Sequence, residues 1–225
     1  MEPEELFHSL EATVVGYDDY ENAFEAHFSR TLEGLHTLVT KIQRENLFSA
    51  NENVGDIQTE NLKMLMVPYL EAEVLFRVMT DRGEQVRKAH TYYLEYLKLM
   101  NHYKLLEKPL QVKAWKSMRT RNSQRTNPGA LVDDDSDEEK KGSENKQHPM
   151  IVLAHQMEDR DTKIANFRLK KSLEANLDRM RNYEDEEMKR TFYMTQIKLS
   201  ILKTFEQMRL TDMELDMLAH AATLT

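Results

Sequence analysis

The sequence predicts an all-α protein, and three observations lead to this fold class. Glycine and proline are scarce, with 6 and 5 residues in a chain of 225. Charged residues make up 31% of the chain, which is typical of water-soluble helical proteins. Apolar residues recur at intervals of three and four along most of the chain, the spacing of one helix face. We therefore expect six to eight helices and no strand.

The first third of the chain contains a short helix and a long one. Residues 6–15 form a short amphipathic segment, and residues 16–19 are expected to turn. A longer apolar stripe then runs from about residue 20 to residue 44. The pattern stops at residues 49–58, where Ser49 followed by Glu52 predicts a capping box on a short turn.

The next two helices carry most of the predicted core. Residues 59–78 are strongly apolar but contain Pro68, so we expect either a kink between Lys63 and Pro68 or two abutting helices. Residues 82–106 have the richest aromatic stripe of the chain. We expect its tyrosines to be buried with their hydroxyls hydrogen-bonded or wet; a base-stacking platform is the less favoured alternative.

Regular patterning fails between the two helical halves. Residues 108–125 hold six basic and no acidic residues, whereas residues 133–139 hold six acids in seven positions. We therefore divide the chain into an N-terminal helical half at 1–107, a flexible charged loop at 108–148 and a C-terminal helical half of the same domain at 149–225. Ser136 precedes three acidic residues and resembles an acidophilic kinase site.

The C-terminal half is predicted to contain three helices. Pro149 opens a stretch that contains no further proline or glycine up to Asn182, so a single long helix is expected. Residues 184–207 form the next periodic segment. Thr211 followed by Glu214 predicts a capping box and hence a separate final helix, with Met213 and Met217 on its apolar face.

The long helix at 149–182 presents the most informative surface. At about 100° per residue, one side of it is shared by Arg160, Lys163, Ile164, Phe167 and Lys171. Cationic side chains that border two apolar side chains on one helix are able to bind an acidic partner. The alternative is that the two apolar residues are ordinary core contacts and that the cations form a solvated fringe.

No constellation typical of catalysis is found. The chain has no cysteine, which excludes disulfides and thiolate chemistry, and its six glycines are too far apart for a phosphate-binding or dinucleotide-binding loop. Glu33 and His36 form a Glu-x-x-His pair, and a polar helix face explains it better than a metal site. We expect no cofactor and no metal, and a chain that is not an enzyme.

Charge and hydropathy favour a soluble intracellular protein. The acidic start, MEPEELFHSL, is unlike a signal peptide, and no apolar run approaches the roughly 20 residues of a membrane span. A net charge of −8 disfavours a general role in nucleic-acid binding. We expect no membrane and no nucleic acid among the partners.

Three separated blocks resemble a known family. They are LFSANE at 47–52 with LKMLMVPY at 62–69, RDTKIANFRLKKSLE at 160–174, and KRTFYMTQIKLSILKTFEQM at 189–208 with Glu214 further on. The chain is similar in these blocks to the alpha-four proteins, also called immunoglobulin-binding protein one, which are regulatory partners of type 2A phosphatase catalytic subunits in TOR signalling.

The resemblance implies both a fold and a function. The fold would be an antiparallel helical solenoid or bundle, TPR-like or 14-3-3-like. The function would be that of an adaptor and chaperone, monomeric and cytoplasmic or also nuclear, which holds the catalytic subunits of type 2A, 4 and 6 phosphatases in a stable, low-activity state. Arg160 and Lys163 match the family's phosphatase contacts, and Phe167, Lys170 and Lys171 are further candidates in the same segment.

Departures from the family and other functions remain open. Residues 36–47 lack the acidic run and the core of the family's ubiquitin-interacting helix, and its polar tail has no counterpart after Thr225. The alternative functions are a general helical scaffold for another acidic partner, an enzyme of unknown type, and nucleic-acid binding by residues 108–125.

Overall fold

The computed structural model describes residues 7–12, 24–49, 51–106, 149–180 and 185–222, and it is all-α, as the sequence predicts. The helices are α1 (residues 7–12), α2 (Phe24–Arg44), α3 (Thr59–Leu62), α4 (Val67–Arg77), α5 (Arg82–His102), α6 (Pro149–Arg179) and α7 (Glu186–Ala222). No helix in these ranges is long and apolar enough to cross a membrane. The predicted turn at 16–19, the predicted charged loop and Ser136 lie outside the described residues.

Pro68 marks the start of a helix. A 3-10 turn at Lys63–Met66 follows α3, and α4 then begins at Val67 with Pro68 in its first turn. The first turn is where a residue without an N–H costs least, because those N–H groups have no partner within the helix. Of the two alternatives that the sequence left open, the structure has the abutting helices.

The core is built where α5 packs against α7. Tyr193, Ile197, Ile201 and Met208 of α7 are all buried, and the buried Tyr96 of α5 packs on this face of α7. The Tyr96 hydroxyl lies 2.6 Å from Ser200 Oγ. Both hydroxyls also lie within reach of the Ile197 carbonyl, Ser200 Oγ at 2.9 Å and the Tyr96 hydroxyl at 3.5 Å. The prediction of buried tyrosines with bonded hydroxyls is confirmed here.

The predicted break before a final helix is wrong. α7 is one helix of 37 residues that continues through Thr211 to Ala222. The Thr211 hydroxyl donates to the Met208 carbonyl at 2.9 Å instead of capping a new helix, and Glu214 pairs with Arg82 of α5. A capping box needs its Ser or Thr outside the helix, and the buried contacts of Thr211 and Asp212 hold this stretch inside it.

Arg82 fastens the C-terminal part of α7 to the α4–α5 junction. Its guanidinium makes a two-pronged contact with the Glu214 carboxylate, and its Nη1 donates to the Val78 carbonyl at 2.9 Å. The same group lies 4.9 Å from the centroid of the Phe76 ring. Paired hydrogen bonds of this kind are both stronger and more directional than a point-charge contact.

Arg190 fastens the first turns of α7 to the loop before α3. It donates to the carbonyls of Ile57 at 2.8 Å and Val54 at 2.7 Å. The start of this loop is itself capped, because the Ser49 N–H donates to Glu52 Oε1 at 2.8 Å. Of the capping box predicted at Ser49 and Glu52, the structure has the bond from the Ser49 N–H to the Glu52 carboxylate, whereas the Glu52 N–H donates to the Ser49 carbonyl and not to its hydroxyl.

Arg190→Met is expected to lower the free energy of unfolding by about 2 kcal/mol, since partly buried carbonyls would lose a charged donor. Lys88→Met is the matched control, because Lys88 of α5 pairs with Glu84 at 2.6 Å where both side chains are exposed, and its loss should cost under about 1 kcal/mol. Urea unfolding monitored by circular dichroism measures both. Equal midpoints for the two variants would contradict the anchoring role of Arg190.

Candidate docking surface

The candidate surface is carried by α6, which has α7 as its main packing partner among the described helices. Lys170 Nζ lies 2.7 Å from Glu206 Oε2 of α7. Glu174 lies one turn further along α6, and its pKa is held below the ordinary value by the hydrogen bond from Lys171, with Lys203 of α7 contributing. These contacts set α6 and α7 antiparallel, with residue 170 level with residue 206.

A group of side chains near the middle of α6 is exposed. Arg160 and Lys163 are both exposed, so the two cations predicted to contact a partner stand at the surface. Phe167 is 59% exposed and Ile164 is also exposed. Neither apolar residue is the buried core contact that the alternative interpretation requires. The structure places the four residues within two turns of one helix.

The two remaining candidates, Lys170 and Lys171, form ion pairs within the chain. Lys170 contributes to the packing of α6 on α7 through its ion pair with Glu206. Lys171 bonds to Glu174 on the same helix at 2.9 Å, in a pair that is open to solvent. A solvent-exposed pair of this kind contributes little to stability and can be rearranged at low cost.

Sequence reasoning missed a second apolar surface beside α6. Leu210, Met213 and Met217 of α7 are all exposed. Sequence analysis placed Met213 and Met217 on the apolar face of a separate helix, and periodicity does not show whether another helix covers such a face. The signal that could have found them is their three- and four-residue spacing from Glu206, which continues one stripe along α7.

The Glu33–His36 pair is brought near a buried carboxylate. His36 Nε2 lies 3.5 Å from Glu71 Oε1, which joins α2 to α4. Burial raises the pKa of Glu71 to about 7, with the Glu95 carboxylate contributing. Within the described parts of the chain, Glu71 Oε1 has no hydrogen-bond partner, and no group of three or more His, Asp or Glu residues could hold a metal ion.

Comparison with known proteins finds one matching family and several relatives. The profile of the TAP42-like family matches residues 3–225. The uncharacterized protein C63.05 of Schizosaccharomyces pombe is 25% identical over 196 residues, which cover 86% of this chain and 48% of that protein. The human immunoglobulin-binding protein 1 family member C is 25% identical over 230 aligned residues, covering 95% of this chain and 60% of that protein.

A solved structure has the same fold. The structure described as that of the Tap42 Alpha4 subunit matches with a TM-score of 0.67 at 18% identity, over 97% of this chain and 98% of that one. The chain spans about half to three-fifths of the length of the two relatives above.

Glu71→Gln is expected to raise the free energy of unfolding by about 2 kcal/mol at pH 8, with the gain shrinking toward zero near pH 4.5. The native carboxyl has a pKa of about 7 against an ordinary 4.5, so it keeps a proton that the unfolded chain has already lost. Native stability therefore falls as the pH rises between these two values, and the full cost is present above pH 7.

Thermal unfolding at pH 5 and pH 8 measures this effect, with Glu187→Gln as the control because Glu187 is exposed and is not among the groups that shift the pKa of Glu71. A Glu71→Gln variant that is less stable than the unmodified chain at pH 8 would contradict the prediction. That result would mean that attraction between His36 and ionised Glu71 outweighs the cost of burial.

Proposed function

This chain belongs to the TAP42-like family, and we propose that it is a non-catalytic adaptor and chaperone for catalytic subunits of type 2A-family protein phosphatases. The proposed clients are the type 2A, 4 and 6 catalytic subunits, which the chain would bind as a monomer in the cytoplasm, and also in the nucleus, within TOR signalling. Family membership and the resemblance in three separated segments support this proposal.

The observation that carries the proposal is the exposure of Arg160, Lys163 and Phe167 on one stretch of α6. Two cations one turn apart on a helix are held at a defined separation, so little side-chain freedom is lost when both meet carboxylates. Arginine and large aromatic residues are also the types most enriched among the side chains that dominate binding energy. The surface therefore suits a client that presents acidic groups next to an apolar contact.

The energies are of the size that specific binding needs. A charged pair that becomes partly desolvated at an interface is worth about 2 kcal/mol or more when one partner is truncated. Full burial of the exposed part of a phenylalanine contributes a similar amount, about 1.5–3 kcal/mol. Losing either contribution would weaken binding by more than roughly tenfold.

The packing of α6 supports a rigid presentation of this surface. The Lys170–Glu206 pair lies one heptad from Lys163 and holds α6 against α7. α7 in turn is fastened at both ends, by Arg190 and by Glu214. A client can be met by groups that are already positioned, which reduces the entropy cost of association.

Arg160→Glu combined with Lys163→Asp is expected to abolish capture of the phosphatase catalytic subunit, because it replaces attraction with repulsion at two adjacent points. Melting temperature should stay nearly unchanged, since exposed charges contribute little to stability. The control is Arg87→Glu with Lys98→Asp, two exposed cations of α5 whose replacement changes net charge by the same amount. Affinity capture from cell lysate with purified chain measures the effect.

Mass spectrometry of the captured material identifies the client. Recovery of a type 2A-family catalytic subunit with the unmodified chain and with the α5 control, but not with the α6 variant, supports the proposal. Undiminished capture by the α6 variant would defeat it. Capture of other proteins with no phosphatase among them would favour the general-scaffold alternative.

A further inference from the structure

α2 is held to the rest of the structure by one face. Leu35 and Leu38 are fully buried on that face, and α4 is the main packing partner of α2 among the described helices. Glu33, Thr37 and Thr40 on the opposite face are exposed. Helices that bury only one face against few neighbours are the first to open when a protein unfolds locally. α2 is therefore the described long helix that can leave with least disturbance of the packing of α5 on α7.

A carboxyl group is buried where α2 meets α4. Glu71 of α4 is 2% exposed, and its Oε1 atom has no hydrogen-bond partner. His36 of α2 places its Nε2 atom 3.5 Å from this oxygen without forming a hydrogen bond. A charged group is costly in a protein core unless hydrogen bonds and an opposite charge offset the loss of water. Ionisation of Glu71 therefore acts directly on the contact between the two helices.

The titratable groups that face Glu71 do not offset its ionisation. Burial is the larger cause that raises the pKa of Glu71 to about 7, and the Glu95 carboxylate of α5 raises it further. The pKa of Tyr92, also on α5, is raised by burial and by both carboxylates, so this phenol stays neutral. On the α2 side, His36 is positively charged only while its imidazole is protonated. Rising pH thus adds a negative charge at Glu71 and removes positive charge at His36.

We propose that the α2–α4 contact is a pH-sensitive joint, in which ionisation of Glu71 releases α2 while the packing of α5 on α7 persists. Release uncovers the apolar face of α2 that carries Leu35 and Leu38, and so changes the surface that the chain offers to partners. α2 and α4 carry none of the candidate client contacts of α6. Release of α2 is therefore independent of the proposed function.

The pH range of the joint follows from the two states of the carboxyl. With α2 docked, Glu71 keeps its proton up to about pH 7, whereas a carboxyl exposed by release returns toward its ordinary value of 4.5. The docked form thus binds more protons, and docking weakens as the pH rises between these two values. Above about pH 7 both forms are ionised and the cost of docking no longer grows. Between pH 5.5 and pH 8 the equilibrium should move toward release by at least about tenfold.

Native-state hydrogen exchange at pH 5.5 and pH 8 tests the joint. The unmodified chain is compared with Glu71→Gln at the same pH, which cancels the intrinsic effect of pH on amide exchange. The ratio of their exchange rates in α2 is expected to grow at least about tenfold between the two pH values, because only the native side chain ionises. In the unmodified chain at pH 8, amides of α5 should stay at least about tenfold better protected than those of α2, since release is local.

Glu73→Gln is the matched control, because Glu73 is a second buried carboxylate of α4. It accepts a hydrogen bond from the Tyr93 hydroxyl at 2.6 Å and lies 3.6 Å from the Arg77 guanidinium, so its charge is compensated. Exchange of α2 in this variant should keep the pH dependence of the unmodified chain. Loss of that dependence would show that the effect does not belong to Glu71 and would overturn the assignment.

Two further results would also overturn the joint. Equal protection of α2 and α5 amides in the unmodified chain at pH 8 would mean that α2 opens only when the whole chain unfolds. This measurement needs no variant. A ratio between the unmodified chain and Glu71→Gln that stays constant with pH would mean that ionisation of Glu71 does not act on α2.

Discussion

The packing of α5 against α7 is the constraint on which the rest of the structure depends. Its register is set by buried polar contacts as well as by apolar fit, because Tyr96 meets Ser200 and His90 meets Asp212. A slide of one helix along the other would separate both pairs and leave polar groups unsatisfied in the core. Such groups cost about 1–3 kcal/mol each, so one alignment is favoured over the others.

This alignment determines which faces of α7 remain available for packing against other helices. One stripe of α7 is used by α5, and a second stripe is covered by α6 as far as the ion pair of Lys170 with Glu206. Because α6 has α7 as its main described partner, side chains near the middle of α6 meet solvent. The exposed cations and the exposed methionines are thus consequences of the same arrangement, in which one well-anchored helix supports a less covered one.

Ionisable side chains inside the core add specificity at some cost in stability. Lys63 is fully buried, with its Nζ 2.9 Å from His8 Nε2 and 3.4 Å from the Tyr193 hydroxyl, so it links α1, the 3-10 turn and α7. Tyr93 donates to the buried Glu73 at 2.6 Å, which links α5 to α4. Buried charges seldom stabilise a fold as well as apolar residues of the same size would. We infer that these contacts select one packing arrangement among several apolar ones.

By itself the sequence determined that the chain is all-α, that Tyr93 and Tyr96 of α5 lie in the core, and that Arg160, Lys163 and Phe167 share one side of a long helix. These features follow from the 3.6-residue repeat, which is local. Tertiary structure alone decided that α7 continues through Thr211, that Lys170 is paired with Glu206, and that Met213 and Met217 remain exposed. Periodicity shows which residues share a face, but whether that face is covered depends on where a helix distant in sequence comes to lie.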